Sequence, residues 1–237
     1  MITTILFDLM GTLVEETERS ANLRSETQIK AIHESLTKDG IVVNWDSFRK
    51  EYEEARRLQM AASKKSLKEY DMCQRISTVL SVFSHTVPPT SAYVRRALDA
   101  YMGMWIDTLT VDEAVYPVLK ELKERYKLGM VTNNPYSPGV HRTLDRFNLR
   151  PFFATVVVSS DCGWRKPSSY IFEAALHNLS SNPMETIFFG DDCEGDIYGA
   201  RQVGMRTVYK SMKGDRCEMA DFTIESLIEL PPIIKRF

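Results

Sequence analysis

Residues 2–14, ITTILFDLMGTLV, decide how this chain of 237 residues is read. The first six, ITTILF, form a short β-branched and apolar run with the length of a buried strand, and the run stops at Asp8. Past residue 15 the character changes. As far as Asp107 glycines are few, and apolar residues recur at helical spacing: Ile29, Ile32, His33 and Leu36, then Phe48, Tyr52, Ala55 and Leu58, then Met72, Ile76, Val79, Leu80 and Phe83. Breaks fall at Lys38-Asp39-Gly40 and at Pro88-Pro89, and Thr90 or Ser91 is placed to cap a fourth helix reaching about Trp105.

Beyond Asp107 the rhythm alternates. Helical patterns near residues 112–126, 138–148, 168–179 and 194–203 precede the strand-like runs LGMVTN, ATVVVSS, TIFFGD and RTVYK, and Phe222-Thr223-Ile224 makes a last short strand. Strands of Val, Ile and Phe separated by helices specify a parallel sheet covered on both faces. The run at 2–7 has to join that sheet, because nothing else in the chain can bury it. The expected fold class is α/β: a Rossmann-like parallel-sheet core over residues 1–14 and 108–237, with an inserted α-helical cap domain over residues 15–107.

Composition narrows the function classes. With 43% apolar and 26% charged residues the chain is neither disordered nor fibrous. Thirty basic against thirty-two acidic residues give a net charge of -2, which argues against a dedicated nucleic-acid binder. No apolar run approaches the ~20 residues of a membrane helix, and the N-terminal run lacks a basic leader and contains Asp8. The expectation is a cytoplasmic protein, monomer or homodimer, with no nucleic-acid or membrane partner. Cys73, Cys162, Cys193 and Cys217 are scattered without a C-x-x-C pair, so they read as reduced thiols. The run KELKERYK at 120–127 reads as a solvated helix face with i,i+4 charge pairs.

In a doubly wound sheet, ligands bind beyond the carboxyl ends of the strands. This sequence puts Asp8 at the end of the first strand, Thr132-Asn133-Asn134 at the second, Arg165-Lys166-Pro167 after the third, and Gly190-Asp191-Asp192 at the fourth. Taken singly, each has an ordinary reading as a helix cap, a turn or a solvated loop. Four together on one rim do not.

These stretches resemble the haloacid dehalogenase (HAD) superfamily, with a C1-type helical cap inserted after the first motif. The resemblance is carried by FDLMGTL at 7–13, VTNN at 131–134, RKP at 165–167 and GDDCEGDIYGARQVGM at 190–205. It implies that Asp8 is a nucleophile forming an aspartyl-phosphate, and that Thr132, Asn133 and Lys166 bind the phosphate while Lys166 keeps Asp8 ionised. It further implies Mg2+ as cofactor, held by Asp8, the backbone carbonyl of Met10 and Asp191, with Asp192 and Asp196 in the outer shell. The chemistry is consistent: a carboxylate attacking a phosphate dianion needs its repulsion removed, and a hard cation plus one ammonium does that. Gly11 and Gly190 are expected to let the backbone approach the anion.

Met10 departs from the resemblance. Phosphatases of the superfamily carry a second aspartate there, which protonates the leaving group and then activates water, a contribution of roughly 10²–10⁴-fold. The first expectation is therefore a Mg2+-dependent phosphatase of small phosphorylated substrates, slow or confined to good leaving groups. A 2-haloacid dehalogenase, which also lacks that acid, ranks second because the acids at 191–196 favour a metal. A catalytically idle binding protein of the same fold ranks third. In the cap, Arg56, Arg57, Tyr52 and Met60 are candidates for substrate choice, whereas Met60, Met72, Met102 and Met104 read as cap core.

Overall fold

A computed structural model describes residues 1–17, 26–212 and 214–237. In chain order the elements are β1 (Thr4–Phe7), β2 (Glu15–Glu16), α1 (Glu26–Lys38), α2 (Trp45–Ser66), α3 (Met72–Val82), α4 (Ala92–Ile106), β3 (Leu109–Thr110), α5 (Val115–Lys123) and β4 (Lys127–Thr132). There follow α6 (Ser137–Arg146), β5 (Thr155–Val158), α7 (Ser159–Cys162), α8 (Ser169–Leu179) and β6 (Thr186–Gly190). A π-helical turn, Cys193–Tyr198, then runs into α9 (Gly199–Gln202), and the chain ends with β7 (Arg206–Lys210), β8 (Phe222–Ile224) and α10 (Leu230–Ile234). The chain divides into two compact units, Met1–Glu15 with Thr110–Phe237, and Glu16–Leu109. Among the described residues no helix is long and apolar enough to cross a membrane.

The first unit is built on a six-stranded sheet in the order β5-β4-β1-β6-β7-β8, a Rossmann-like α/β arrangement, with every pairing parallel. Because helices cover both faces, the central strands carry apolar residues without alternation: Ile5, Leu6, Phe7, Ile187, Phe188 and Phe189 are all fully buried. Leu6, Val131 and Phe188 pack on one side with Ile171, Phe172 and Leu176 of α8. Phe7 meets Phe153 and Phe189 edge-on, each at 6.0 Å between ring centres.

The winding explains where a site can form. From β1 the chain adds β4 and β5 on one side, then crosses back to add β6, β7 and β8 on the other. The order reverses beside β1, so the loops leaving β1, β4 and β6 diverge above the sheet and open a crevice. Register fixes their height: Phe7 lies level with Met130 and with Phe189, and the Asp8 N–H donates to the Phe189 carbonyl at 2.9 Å.

The second unit is a bundle of α1 to α4 over a core that includes Ile29, Ile32, Leu36, Phe48, Ile76, Leu80, Val94 and Leu98. Local sequence sets the helix starts: Asn44, Asp71 and Ser91 accept from the backbone N–H groups of Ser47, Cys73 and Tyr93. Gly40, at φ +84°, follows the end of α1.

Side-chain placement corrects several expectations. Tyr52 is not a substrate-facing residue; it is buried under the Arg75 guanidinium, whose carbon lies 5.5 Å from the ring centre. Met72 and Met102 do fill the bundle core, but Met60, Met104 and Leu58 are exposed. The cause lies in α2, which runs for 22 residues yet buries only Phe48, Tyr52 and Ser63. The run at 120–127 is not one helix face either. Helix α5 ends at Lys123, Lys127 opens β4, and their ammonium groups donate to the carbonyls of Pro151 and Leu179.

Gly129 tests the packing between sheet and helix. A Cβ there would sit 2.7 Å from Leu6 Cδ2 and 3.0 Å from both Leu179 Cδ1 and Thr155 Cγ2. Gly129→Ala is expected to cost about 1–3 kcal/mol by overpacking, read as a lower urea midpoint. An unchanged midpoint would show that α8 can give way.

Candidate active site

The end of β1 delivers Asp8 into the crevice, and the loop before α8 brings Lys166 to it. The Lys166 ammonium, 5% exposed, donates to Asp8 Oδ1 at 2.6 Å and to Asp196 Oδ1 at 2.5 Å. Lys166 is held there by Asn133, whose side-chain amide donates to the Lys166 carbonyl at 3.1 Å and whose oxygen accepts from the Lys166 N–H at 2.8 Å. The Asn133 side chain is thus committed to the loop that carries the lysine. Thr132, buried, ends β4 on the same rim.

Asp196 stands on the π-helical turn after β6. Its Oδ2 accepts from the Asp192 N–H at 3.0 Å while Oδ1 holds Lys166. The carboxylate of Asp192 turns elsewhere and caps the turn through the Glu194 N–H at 3.0 Å. Asp191 is fixed by Thr12, whose hydroxyl donates to Asp191 Oδ1 at 3.0 Å. Thr12 is a site residue that the sequence analysis gave no role. Only its place after Gly11 could have flagged it.

Two glycines make this crowding feasible. A Cβ on Gly11 would lie 2.1 Å from Asp191 Oδ2, and one on Gly190 would lie 2.2 Å from Asp196 Oδ2. Gly11 also adopts φ +81°, a conformation costly for any residue with a Cβ. Both glycines make room for carboxylates.

The outcome is three acids, Asp8, Asp191 and Asp196, that each offer one carboxylate oxygen lying within 4.8 Å of the other two. Three carboxylates against one ammonium leave an excess of negative charge in a largely buried site. Burial pushes Asp8 above the ordinary carboxylate range, with Lys166 opposing and Asp191 adding to the rise. Asp191 is raised by burial and then by the charge of Asp196. Asp196 is pushed up to about 7 by burial, against the pull of Lys166 and with the charge of Asp8. Burial alone would lower Lys166, but Asp196 and Asp8 outweigh it and hold the ammonium charged. The donor set is oxygen throughout and its charge excess is that of a divalent cation, so the residues fit a hard metal ion.

One expectation is overturned beside the site. Cys193 and Cys217 are not reduced thiols; they are joined in a disulfide with their Cα atoms 5.6 Å apart. Their 24-residue separation hides the pairing in sequence, whereas neighbouring β6 and β7 bring the two loops together. Cys73 and Cys162 take no part in a disulfide.

Comparison with known proteins agrees with this geometry. The model of the haloacid dehalogenase-like hydrolases matches residues 2–204. A glyceraldehyde 3-phosphate phosphatase of Pyrococcus furiosus is 28% identical over 99% of this chain and 94% of its own length. One from Methanopyrus kandleri is 29% identical over 99% and 98%. Among solved structures, an HAD phosphatase from Thermococcus onnurineus superposes with a TM-score of 0.69 at 24% identity, covering 98% of each chain. A 2-haloacid dehalogenase from Pseudomonas syringae gives 0.68 at 20% identity, covering 100% of this chain and 99% of that one, so the fold alone does not choose between reactions. With a family match over nearly the whole chain and a matching sheet, this protein belongs to the haloacid dehalogenase-like hydrolases.

Proposed function

We propose that this protein is a magnesium-dependent phosphatase that acts on small phosphorylated substrates through an aspartyl-phosphate on Asp8. The observation that carries this reading is the convergence of Asp8, Asp191 and Asp196 around Lys166. The relatives named as glyceraldehyde 3-phosphate phosphatases support a small phosphorylated substrate.

Asp8, Asp191 and the backbone carbonyl of Met10 would hold the ion. Both oxygens of Asp196 are already engaged, one by Lys166 and one by the Asp192 N–H, which favours an outer-shell place for it. Asp192 contributes through that N–H, its carboxylate being used as a cap. Bound magnesium supplies the positive charge that lets a carboxylate and a phosphate dianion approach.

The remaining work falls to the chain. Asp8 attacks phosphorus in line as the bond to the leaving oxygen breaks. Lys166 and the Thr132 hydroxyl, with backbone N–H groups near Asn133, hold the phosphoryl oxygens. The leaving oxygen departs with its electron pair and takes a proton from water, because the Met10 thioether has none to give. Water then attacks phosphorus, the acyl-phosphate bond breaks, and phosphate leaves with the carboxylate restored. Losing acid catalysis penalises poor leaving groups most, so acyl and aryl phosphates are the favoured class. The dehalogenase reading keeps one supporting observation, Met10 itself, since halide leaves without a proton.

Asp8→Asn is expected to abolish turnover of p-nitrophenyl phosphate while circular dichroism stays native; undiminished turnover would remove Asp8 from the mechanism. Met10→Asp is expected to raise hydrolysis of glycerol phosphate, an alkyl ester with a poor leaving group, by about 10²-fold. No gain would show that proton supply does not limit the rate.

Metal dependence carries a pH signature. The folded-state pKa values of Asp8, Asp191 and Asp196 lie above their unfolded values. The metal-free protein therefore loses stability as pH climbs from about 4 through the Asp196 value of about 7. Magnesium competes with those protons. The rise in Tm on adding Mg2+ is expected to be larger at about pH 8 than at about pH 5.5. An equal rise at both would mean the acids are ionised throughout. Turnover is expected to cease in EDTA; halide release from a 2-haloacid in EDTA would put the dehalogenase reading first.

A further inference from the structure

Lys210, the last residue of β7, is a second buried lysine that the proposed chemistry does not use. It is 8% exposed, and its ammonium donates to the Gly11 carbonyl at 2.9 Å, the Thr12 carbonyl at 3.1 Å and Glu15 Oε1 at 2.7 Å. An ammonium has three N–H groups, and each of these finds an acceptor. Glu15, the one partner with a charge, is half-exposed, so the ion pair itself contributes little.

The two carbonyls belong to the turn that follows Asp8. Its own backbone bonds, from Gly11 N–H to the Val14 carbonyl at 2.8 Å and from Val14 N–H to the Leu9 carbonyl at 2.9 Å, close the turn on itself. They do not fasten it to the strands. That fastening comes from the Lys210 ammonium on one side and from the Thr12 hydroxyl on Asp191 on the other. The same turn places Gly11 flat against the Asp191 carboxylate, where even a methyl group would collide. Any shift of residues 11 and 12 therefore moves the face on which Asp191 rests.

We propose that Lys210 is a positioning residue for the metal site: its ammonium pins the Gly11-Thr12 turn, and the turn in turn fixes Asp191. This rests on the metal-site reading given above. Side chains that orient a metal ligand from behind change metal affinity by about 10–100-fold when removed. Lys210 acts one bond further out, so an effect near the lower end, about tenfold, is expected.

The test uses Lys210→Met, which keeps the aliphatic stem and removes the donors. Mn2+ is the probe, its binding to substrate-free protein followed by loss of the free-ion EPR signal. The expected result is an Mn2+ Kd about tenfold weaker than wild type. Kinetically, the Mg2+ concentration for half-maximal p-nitrophenyl phosphate turnover should rise by a similar factor, with substrate KM within about twofold. Lys210→Arg is expected to restore binding, the guanidinium having a cavity of about 70 Å3 beside it, lined in part by Glu15, Glu225 and Ser226. If Lys210→Met does not fold, Thr12→Val breaks the same chain one link on and should weaken Mn2+ to the same degree. Wild-type Mn2+ affinity in a folded Lys210→Met, or in Thr12→Val where that variant is the one read, overturns the proposal while leaving the metal site standing. Failure of the wild-type protein to bind Mn2+ overturns both.

Discussion

Three carboxylates crowded around one buried ammonium are the constraint that the rest of the core serves. Charges of one sign at this spacing repel, and burial removes the water that would screen them. Lys166 offsets part of that cost through Asp8 and Asp196, while Asp191 rests on Thr12. A buried ionic cluster is a weak source of stability, and apolar residues of similar volume are often as stable or more so. Its presence at the reversal point of the sheet leaves an excess of negative charge there that a divalent cation would balance. The two glycines follow from the same crowding, since each occupies a spot where a methyl group would strike a carboxylate.

What the sequence makes legible is what the parallel sheet makes local. In such a sheet the ends of the central strands fall within a residue or two of one height, so finding them near Asp8, Thr132 and Gly190 amounts to finding the rim. The helices of the inserted unit are equally readable from their period and their caps. Less readable is which face of a long helix finds a partner. The apolar stripe on α2 continues through Leu58, yet Phe48 and Tyr52 are buried while Leu58 is exposed. Thr12, Lys210 and the Cys193–Cys217 bond share a different obstacle. Their partners lie 179, 199 and 24 residues away in the chain, and no local pattern encodes such pairings. Asn133 is intermediate: its position was visible, but its grip on the Lys166 backbone was not.

Under the proposed reading, Met10 would separate two parts of phosphoryl transfer. In the proposed reaction charge neutralisation would fall to Asp8, Lys166, Asp191 and a cation, and none of these involves the Met10 side chain. Proton delivery does. Losing 10²–10⁴-fold of acid catalysis corresponds to about 3–5 kcal/mol of barrier, charged only to reactions whose leaving group needs the proton. A site of this kind ranks substrates by leaving-group basicity more steeply than one with two aspartates. The thioether also does not load the cluster with a fourth carboxylate, whose repulsion would push the raised pKa values of Asp8 and Asp191 higher still.

The disulfide bears on the same cluster from the outside. Cys193 lies two residues past Asp191 at the start of the π-helical turn that carries Asp196, and Cys217 lies in the loop between β7 and β8. Ile197 and Tyr209 pack with Cys217, so the bond closes over an apolar contact rather than hanging in solvent. Such bonds persist mainly where the surroundings oxidise, which is the opposite of the reduced-thiol reading of these two residues. The disulfide also completes a pattern in how the rim is held. Lys166 ties the loop before α8 to the ends of β1 and β6, Lys210 ties β7 back to the turn after β1, and the disulfide ties the loop after β6 to the loop after β7. Loops over a crevice are ordinarily the mobile part of such a fold. Here each is cross-braced to another part of the rim, which holds the three acids at their spacing.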